Sequence, residues 1–418
     1  MALTLENTIP QYSFADNPIW VIVASDQYTG DEPPFVPIEF NQRVVMLVEY
    51  EQPAGTFKSA SLSLAISPFT KLAYANVAAT LNIPIGPPND TTIINPTIAM
   101  TAESKGWAKY TVSAFEQSGI PPEVANLPSL ELGIEPLLYA IKGGLPLDAV
   151  DTINQLNTTT TGKLLHLLLG NIYQDTLPIT DFGDLIIRPA TKEQPSWMYI
   201  FSLGAETFTA KITVGFSNGA TVVHTIAGIT AVEGINYLPV GWNQLDLDTS
   251  IVGPAGEKAE FYSITLEKAA ADVGFTMFFQ LHECQPTTRY LLMETGLGGF
   301  ETVPLFGKHS YGVESSRETT RMSTTPNTTS DTGTYANLNT QTNRIITSRT
   351  GYYSKNYIEM LAQLLCGELW EIDLVGERFL KIAADQTSFR ELYKEDADLY
   401  ALEFKYRQGW DDPHSLKI

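Results

Sequence analysis

Short runs of alternating apolar and polar residues, separated by turns rich in Pro, Gly and Asp, dominate the first part of the chain. Alternation is typical of β-strands, because successive side chains of a strand point to opposite faces of the sheet. The pattern predicts strands at 18–23, 40–50 and 57–66. Strands at this spacing predict a β-sandwich, and we place this first domain at residues 1–114.

The pattern changes between residues 115 and 185. Leu and Ile recur there at helical intervals, at 130–141, 147–156 and 162–169, and Gly143-Gly144 interrupts them. This segment therefore predicts a short helical insertion or connector between two β domains. We expect its apolar residues to serve packing only.

Residues 186–285 return to the strand pattern and predict a second β-sandwich. The predicted strands are 197–202, 207–216, 220–226, 234–240, 260–267 and 276–281. Ser217-Asn218-Gly219 lies between two of them, and Asn-Gly supplies the positive φ angles that a tight hairpin needs.

The C-terminal part, residues 286–418, predicts one α+β domain. Its last segment contains a strand at 343–348, a helix at 355–365, strands at 369–374 and 378–383, and a final strand in which Tyr400, Leu402, Phe404 and Tyr406 share one side. One amphipathic helix laid on a small antiparallel sheet buries one face of each. The fold class is thus mainly β, with two sandwich-like domains, a short helical insertion and this C-terminal α+β domain.

A polar stretch at 307–335, rich in Ser, Thr and Asn, precedes these elements. It is either a long loop or a pair of exposed strands, and the second alternative would make it an arm that grips a neighbouring subunit. The apolar residues that we expect to form the core of an assembling unit are Tyr357, Leu361, Leu364, Trp370, Leu402 and Phe404.

The order of elements from Ala336 to Lys417 resembles the ring-forming belt domain of bacteriophage distal-tail and baseplate-hub proteins, a relative of the tail-tube fold. Further segments resemble landmarks of the same phage and prophage structural proteins: 13–19 (SFADNPI), 106–113 (GWAKYTVS, a strand running into a helix in that family), 239–245 (PVGWNQL) and 288–302 (TRYLLMETGLGGFET). The resemblance implies a virion protein that is made in the host cytoplasm. Its partners would be copies of itself, in a ring of six or three, and other virion tail proteins.

Charge and composition restrict the function further. The net charge is −21, from 26 basic and 47 acidic residues, which argues against binding to a nucleic-acid backbone. In a ring it would keep passing DNA from adhering to the channel. Cys284 and Cys366 have no metal-ligand spacing, no apolar run is long enough to span a membrane, and the N-terminus lacks the pattern of a signal peptide. We expect no metal and no cofactor.

Two catalytic motifs are weak. Residues 215–219 (GFSNG) match the nucleophile elbow, with His224 nearby, but strand-like residues follow where an elbow needs a helix. Asp246 with Asp248, and Asp411 with Asp412, are paired carboxylates in a chain rich in acids. We therefore expect that this chain is not an enzyme.

Three hypotheses for the function remain. The first is a structural ring component, and the second is a receptor-binding protein that recognises host cell-surface glycan through exposed aromatics. The third, with least support, is a polysaccharide hydrolase.

Overall fold

The structure is a computed structural model. It describes residues 3–7, 9, 11–26, 28–29, 33–34, 36–37, 43–52, 55–93, 98–118, 123–124, 132–133, 138–144, 187–202, 204–268, 271–272, 276–283, 287–295, 298–307, 309–321, 335–353, 357–358, 361, 367–384, 390–394 and 399–408. The helices predicted at 147–156 and 162–169 lie outside the described residues, as do Leu364 and both cysteines.

The first unit is a sandwich of two sheets. Its strands are β1 Leu3–Leu5, β2 Tyr12–Phe14, β3 Trp20–Ser25, β4 Tyr28–Thr29, β5 Val36–Pro37, β6 Arg43–Gln52, β7 Thr56–Ala65, β8 Leu72–Asn76, β9 Thr101–Ala102, β10 Trp107–Ser118, β11 Glu123–Val124, β12 Leu132–Gly133 and β13 Leu138–Ile141. Short 3-10 helices are η1 Val77–Thr80 and η2 Asp90–Thr92. One sheet has the order β1-β3-β8, and the other runs β2-β13-β10-β6-β7, with β11 and β12 also paired to β10. Alternate side chains of β3, β6 and β10 are buried between them, and the strands predicted at 18–23 and 40–50 are confirmed as β3 and β6.

Two helical expectations for this region are wrong. Residues 107–118 form one continuous strand, β10, and do not run into a helix. The end of the segment at 130–141, which reads as helical in the sequence, is strand β13, which pairs with β10 and β2. All four residues of β13 are buried, so its apolar run carries no alternation, and a short buried strand then looks like part of a buried helix.

The second unit is also a sandwich. Its elements are β14 Ile187–Ala190, β15 Trp197–Ser202, β16 Glu206–Phe216, β17 Thr221–Ala231, β18 Gly234–Pro239, α1 Leu247–Ser250, β19 Ala259–Lys268, β20 Ala271–Asp272 and β21 Met277–Leu281. The larger sheet runs β14-β21-β19-β16-β17, with β20 beside β19, and the smaller one runs β15-β18-β9. The predicted strands are confirmed within a few residues. Strand β9 lies within residues 1–114, the range of the first domain, but it pairs with β18. The first unit therefore contributes one strand to the smaller sheet of the second unit.

Gln244, in the turn after β18, fastens the two sandwiches to each other. Its Oε1 accepts hydrogen bonds from the amides of Ser196 and Gly241, both at 2.9 Å, and its Nε2 donates to the carbonyl of Thr92 at 2.7 Å. The side chain is buried. A Cβ at Gly241 would lie 2.4 Å from the carbonyl oxygen of Gln194, so the turn also requires glycine there. The segment 239–245 therefore has a structural role: its buried polar groups are hydrogen-bonded to residues of both sandwiches.

The C-terminal unit has one antiparallel sheet of eight strands. They are β22 Arg289–Glu294, β23 Phe300–Leu305, β24 Ser310–Arg321, β25 Tyr335–Arg349, β26 Leu369–Asp373, β27 Arg378–Ala384, β28 Arg390–Lys394 and β29 Leu399–Gln408. The order is β23-β22-β26-β27-β29-β25-β24, and β28 pairs with β29. The predicted strands are confirmed, although β25 is longer than expected and β28 was missed. Tyr357, Ile358 and Leu361 are helical, as predicted, and pack on one face of the sheet.

Candidate assembly surface and the junction behind it

The C-terminal sheet curls strongly, so that strands far apart in its order come close. Arg289 on β22 donates from Nη2 to the hydroxyl of Tyr311 on β24, at 2.6 Å, and also forms an ion pair with Glu371 on β26. The amide of Gly307, just after β23, donates to the carbonyl of Arg349 on β25 at 3.1 Å. The two ends of the sheet order therefore approach each other where the chain crosses from β23 to β24.

Strands β24 and β25 continue beyond this sheet as a two-stranded ribbon. They pair from Ser310↔Thr347 to Arg321↔Tyr335, whereas β29 pairs with β25 only between Ile345 and Arg349. Residues 313–321 and 335–344, which we call the ribbon, therefore have only each other as partners among the described strands. At about 3.4 Å per residue the ribbon is roughly 30 Å long. Of the two alternatives for the polar stretch, paired strands are confirmed for the described residues.

The residues expected to form the assembly core lie in two places. Tyr357, Leu361 and Leu402 belong to one buried cluster between the helical residues and the sheet, with Leu291, Val303 and Ile382 beside them. Trp370 is also buried but lies in the other cluster, on the face of the sheet away from the helical residues. Leu364 lies outside the described residues. The backbone of Phe404 belongs to β29, but its side chain is outside the description.

All three units meet in one aromatic cluster, which we call the junction. The first unit contributes Trp107 and Tyr139, and the second contributes residues of β15 and β18. From the C-terminal unit, Phe300 and Trp370 contact edge to face, with ring centroids 5.2 Å apart. The other members are Phe14, Ile93, Ile141, Trp197, Tyr199, Phe201, Ile235, Tyr237, Tyr290, Leu292 and Ile372. Burial of this many aromatic rings contributes strongly to the fixed arrangement of the units.

A buried ion pair crosses the contact between the second and C-terminal units. Arg188 on β14 donates from Nε to Glu301 on β23 at 2.6 Å, and their side chains are only 2% and 6% exposed. Neither charge has bulk water to solvate it, so each depends on the other. Thr191 and Tyr290 add a hydroxyl contact of 2.7 Å across the same boundary. We call these four residues the seam. Sequence reasoning missed it, since no local pattern indicates that Arg188 and Glu301 will meet.

Glu103 is a carboxyl group whose pKa is shifted by burial at the junction. It follows β9, and its amide donates to the carbonyl of Ile235 at 2.7 Å, which holds it beside the aromatic rings. Burial raises the pKa of Glu103 to about 7, and this outweighs the lowering by the amide of Ser104 and by Lys105. Burial also raises the pKa of Tyr199 well above its usual value, with Glu103 and Tyr237 as further causes.

The weak catalytic motifs have structural explanations. Ser217 to Gly219 form the β16–β17 turn, in which Gly219 has a φ of +81° and donates to the carbonyl of Phe216 at 2.8 Å. Strand β17 follows it, so no nucleophile elbow forms. Asp248 pairs with Lys192 at 2.6 Å, and the pair Asp411 and Asp412 lies outside the described residues.

The described residues contain no group of three or more His, Cys, Asp or Glu side chains arranged to hold a metal ion. None of their helices has the length and apolar character needed to cross a membrane.

Comparison with known proteins gives no identification. No model of a known protein family matches the chain, and no curated protein sequence matches it significantly.

The seam predicts strong coupling between its charges. Arg188→Met leaves Glu301 buried without its partner, and we expect the free energy of unfolding to fall by about 3–5 kcal/mol. Arg188→Met combined with Glu301→Leu removes both charges and should recover most of that loss. Urea unfolding of both variants measures this. Lys258→Met is the control, because its pair with Glu283 is almost fully exposed and should contribute at most about 1 kcal/mol. Equal losses in the single and double variants would contradict the coupling.

The junction predicts a pH dependence through Glu103. Its folded-state pKa of about 7 lies above the ordinary value of 4.5. The contribution of Glu103 to the free energy of unfolding is therefore fully present below about pH 4.5 and is lost as the pH rises through 7. Glu103→Gln should remove this fall, which is at most about 3 kcal/mol. Urea unfolding midpoints at pH 5 and pH 8 measure it. Glu49→Gln removes an exposed carboxylate and is the control. If the stability of Glu103→Gln fell between pH 5 and pH 8 as much as that of the wild type, the prediction would be contradicted.

Proposed function

We propose that this chain is a structural component of a phage or phage-like tail tip or baseplate, a distal-tail-like or hub-like ring protein that acts by assembly. Its partners are copies of itself, in a ring of six or three, and other virion tail proteins, and it resides in the virion. The C-terminal unit makes the ring, while the two sandwiches face neighbouring virion proteins.

The ribbon is the observation that carries this proposal. Two strands that extend roughly 30 Å past their sheet gain little stability alone, because an isolated two-stranded ribbon is marginal in water. Both of its outer edges offer unpaired backbone groups among the described strands. Such edges favour pairing with another chain. A neighbouring subunit in a ring supplies that partner at the same position on every copy.

Two further features support the proposal. The C-terminal sheet is backed by helical residues on one face, so it is a stiff support for the ribbon. The negative charge of the chain suits a protein beside a passage for DNA, because it repels the phosphate backbone. The likeness of the element order to the belt domain of distal-tail proteins points in the same direction.

Shortening the ribbon tests the proposal. Residues 314–343 are replaced by Asn-Gly, which joins the paired residues Val313 and Arg344 through a two-residue hairpin. The core and the pairing of β25 with β29 remain, so we expect the shortened chain to fold with unchanged thermal unfolding. Ring formation should be lost. Light scattering after size-exclusion chromatography and negative-stain images measure this.

A smaller deletion is the control. Residues 320–336 are replaced by Asn-Gly between the paired residues Thr319 and Asn337, which removes the tip and keeps most of the ribbon. We expect this variant to retain the ring. If the wild-type chain forms no ring, or if the variant with the short ribbon assembles normally, the ring proposal fails.

One observation favours the second candidate function, recognition of host glycan. Trp20 and Tyr74 are 51% and 45% exposed, and they lie on the outer face of the sheet β1-β3-β8. The register pairs Trp20 with Asn76 and Ile22 with Tyr74, so the two aromatic side chains are diagonal neighbours on adjacent strands. Exposed rings arranged in this way offer apolar surface for the C–H face of a sugar.

Binding to a panel of cell-surface polysaccharides tests this second function. Trp20→Ala and Tyr74→Ala should each weaken binding about tenfold, the loss expected for about 1.4 kcal/mol. Phe69→Ala is the control, because Phe69 is 64% exposed but lies in a turn outside the sheet. Wild-type protein without affinity for any polysaccharide, or equal losses in all three variants, would reject this function.

A further inference from the structure

Strand β17 is the one long edge strand of the second unit, and its outer side is open among the described residues. It has 11 residues and ends the sheet order β14-β21-β19-β16-β17. Its sequence, TVVHTIAGITA, contains no Lys, Arg, Asp, Glu or Pro. Edge strands of soluble proteins usually carry such residues, because an unprotected edge pairs with other strands.

Two other sandwich edges in the described structure, those of β7 and β14, are protected. On β7, Lys58 lies over the ring of Tyr50, with 6.0 Å between its Nζ and the ring centroid, so a charge occupies the inner side of that edge. Strand β14 is short and contains Pro189. By comparison, β17 has no charged residue of these types and no proline, and its bulge at Ala227-Gly228 leaves residues 221–226 as a regular edge.

The inner face of β17 is also incompletely covered. Ile229 and Ala231, near its end, are buried, but Val222 and Ile226 are only partly buried. The two sheets of this sandwich differ in width, because the larger sheet has six strands and the facing sheet β15-β18-β9 has three. Beyond the narrower sheet, apolar side chains that point toward the core remain partly in contact with water. An added strand would cover them.

We infer that β17 pairs with β17 of a second copy of this chain, antiparallel and about a two-fold axis. Antiparallel pairing of one strand with itself is closed by symmetry, so it ends at two copies and does not produce fibres. The lack of charge on β17 favours a second copy, because two chains of net charge −21 approach each other with least repulsion where neither carries acidic side chains. The contact joins the larger sheets of the two copies into one continuous sheet.

This contact is separate from the ring of the proposed function. The ring uses the ribbon of the C-terminal unit, whereas β17 belongs to the second sandwich. The chain with the short ribbon, Val313-Asn-Gly-Arg344, therefore provides a background in which the ring is removed and the β17 contact remains. In that background we expect a dimer.

The test compares two lysine substitutions in the background with the short ribbon. Val223→Lys places a charge on β17, where Val223 is 53% exposed, so folding is expected to be unaffected. A lysine on an edge strand opposes the addition of another strand, so the dissociation constant should rise at least tenfold. Val252→Lys makes the same change at a loop residue that is 89% exposed, and it should leave the dimer intact. Sedimentation equilibrium over a concentration series measures both.

Amide hydrogen exchange at 221–231 provides a second measurement in the same background. Protection that rises with protein concentration, and that Val223→Lys abolishes, supports the two-fold contact. Monomers at all concentrations, or equal dissociation constants for both lysine variants, would overturn it. Protection that does not depend on concentration would also overturn it, because the chain itself would then cover the strand. Loss of the ring without loss of the dimer separates this inference from the proposed function.

Discussion

The buried pair of Arg188 and Glu301 is the interaction on which the arrangement of the units depends. It lies between the second sandwich and the C-terminal sheet, at the margin of an aromatic junction in which hydrophobic contacts alone would tolerate sliding. A buried charge tolerates no such shift, because separation from its partner leaves it unsolvated. The pair therefore contributes more to fixing the relative position of the two units than to the free energy of unfolding.

This fixed position determines which surfaces remain for other molecules. The junction covers one face of β22, β23 and β26, and the helical residues around Tyr357 cover the other face. That part of the C-terminal sheet is buried on both sides. The features that extend outward are the ribbon at one end of the sheet order and, in the second sandwich, the edge strand β17. Both offer backbone groups more than side chains, so the same chemistry of strand addition applies to each.

Strands with one buried face were the most predictable elements. In β16 and β29, alternation and turn residues agree, and Asn218-Gly219 marks its hairpin within a residue. Strand β13 failed because its residues are buried on both faces and lose the alternation. Among the expected assembly residues, Tyr357, Leu361 and Leu402 fall in one core, whereas Trp370 packs toward the junction. Sequence identified Trp370 as buried but had no means of assigning the face.

The sequence by itself determined the mainly β class, most strands of the second and C-terminal units, and the excess of negative charge, because these depend on local periodicity and composition. Only the tertiary structure decided that Arg188 meets Glu301, that β9 joins the sheet of another unit, and that the polar stretch pairs into a ribbon. Those contacts join residues distant in the chain. Which residues meet in such contacts depends on how whole sheets pack, and a local sequence pattern does not predict this packing.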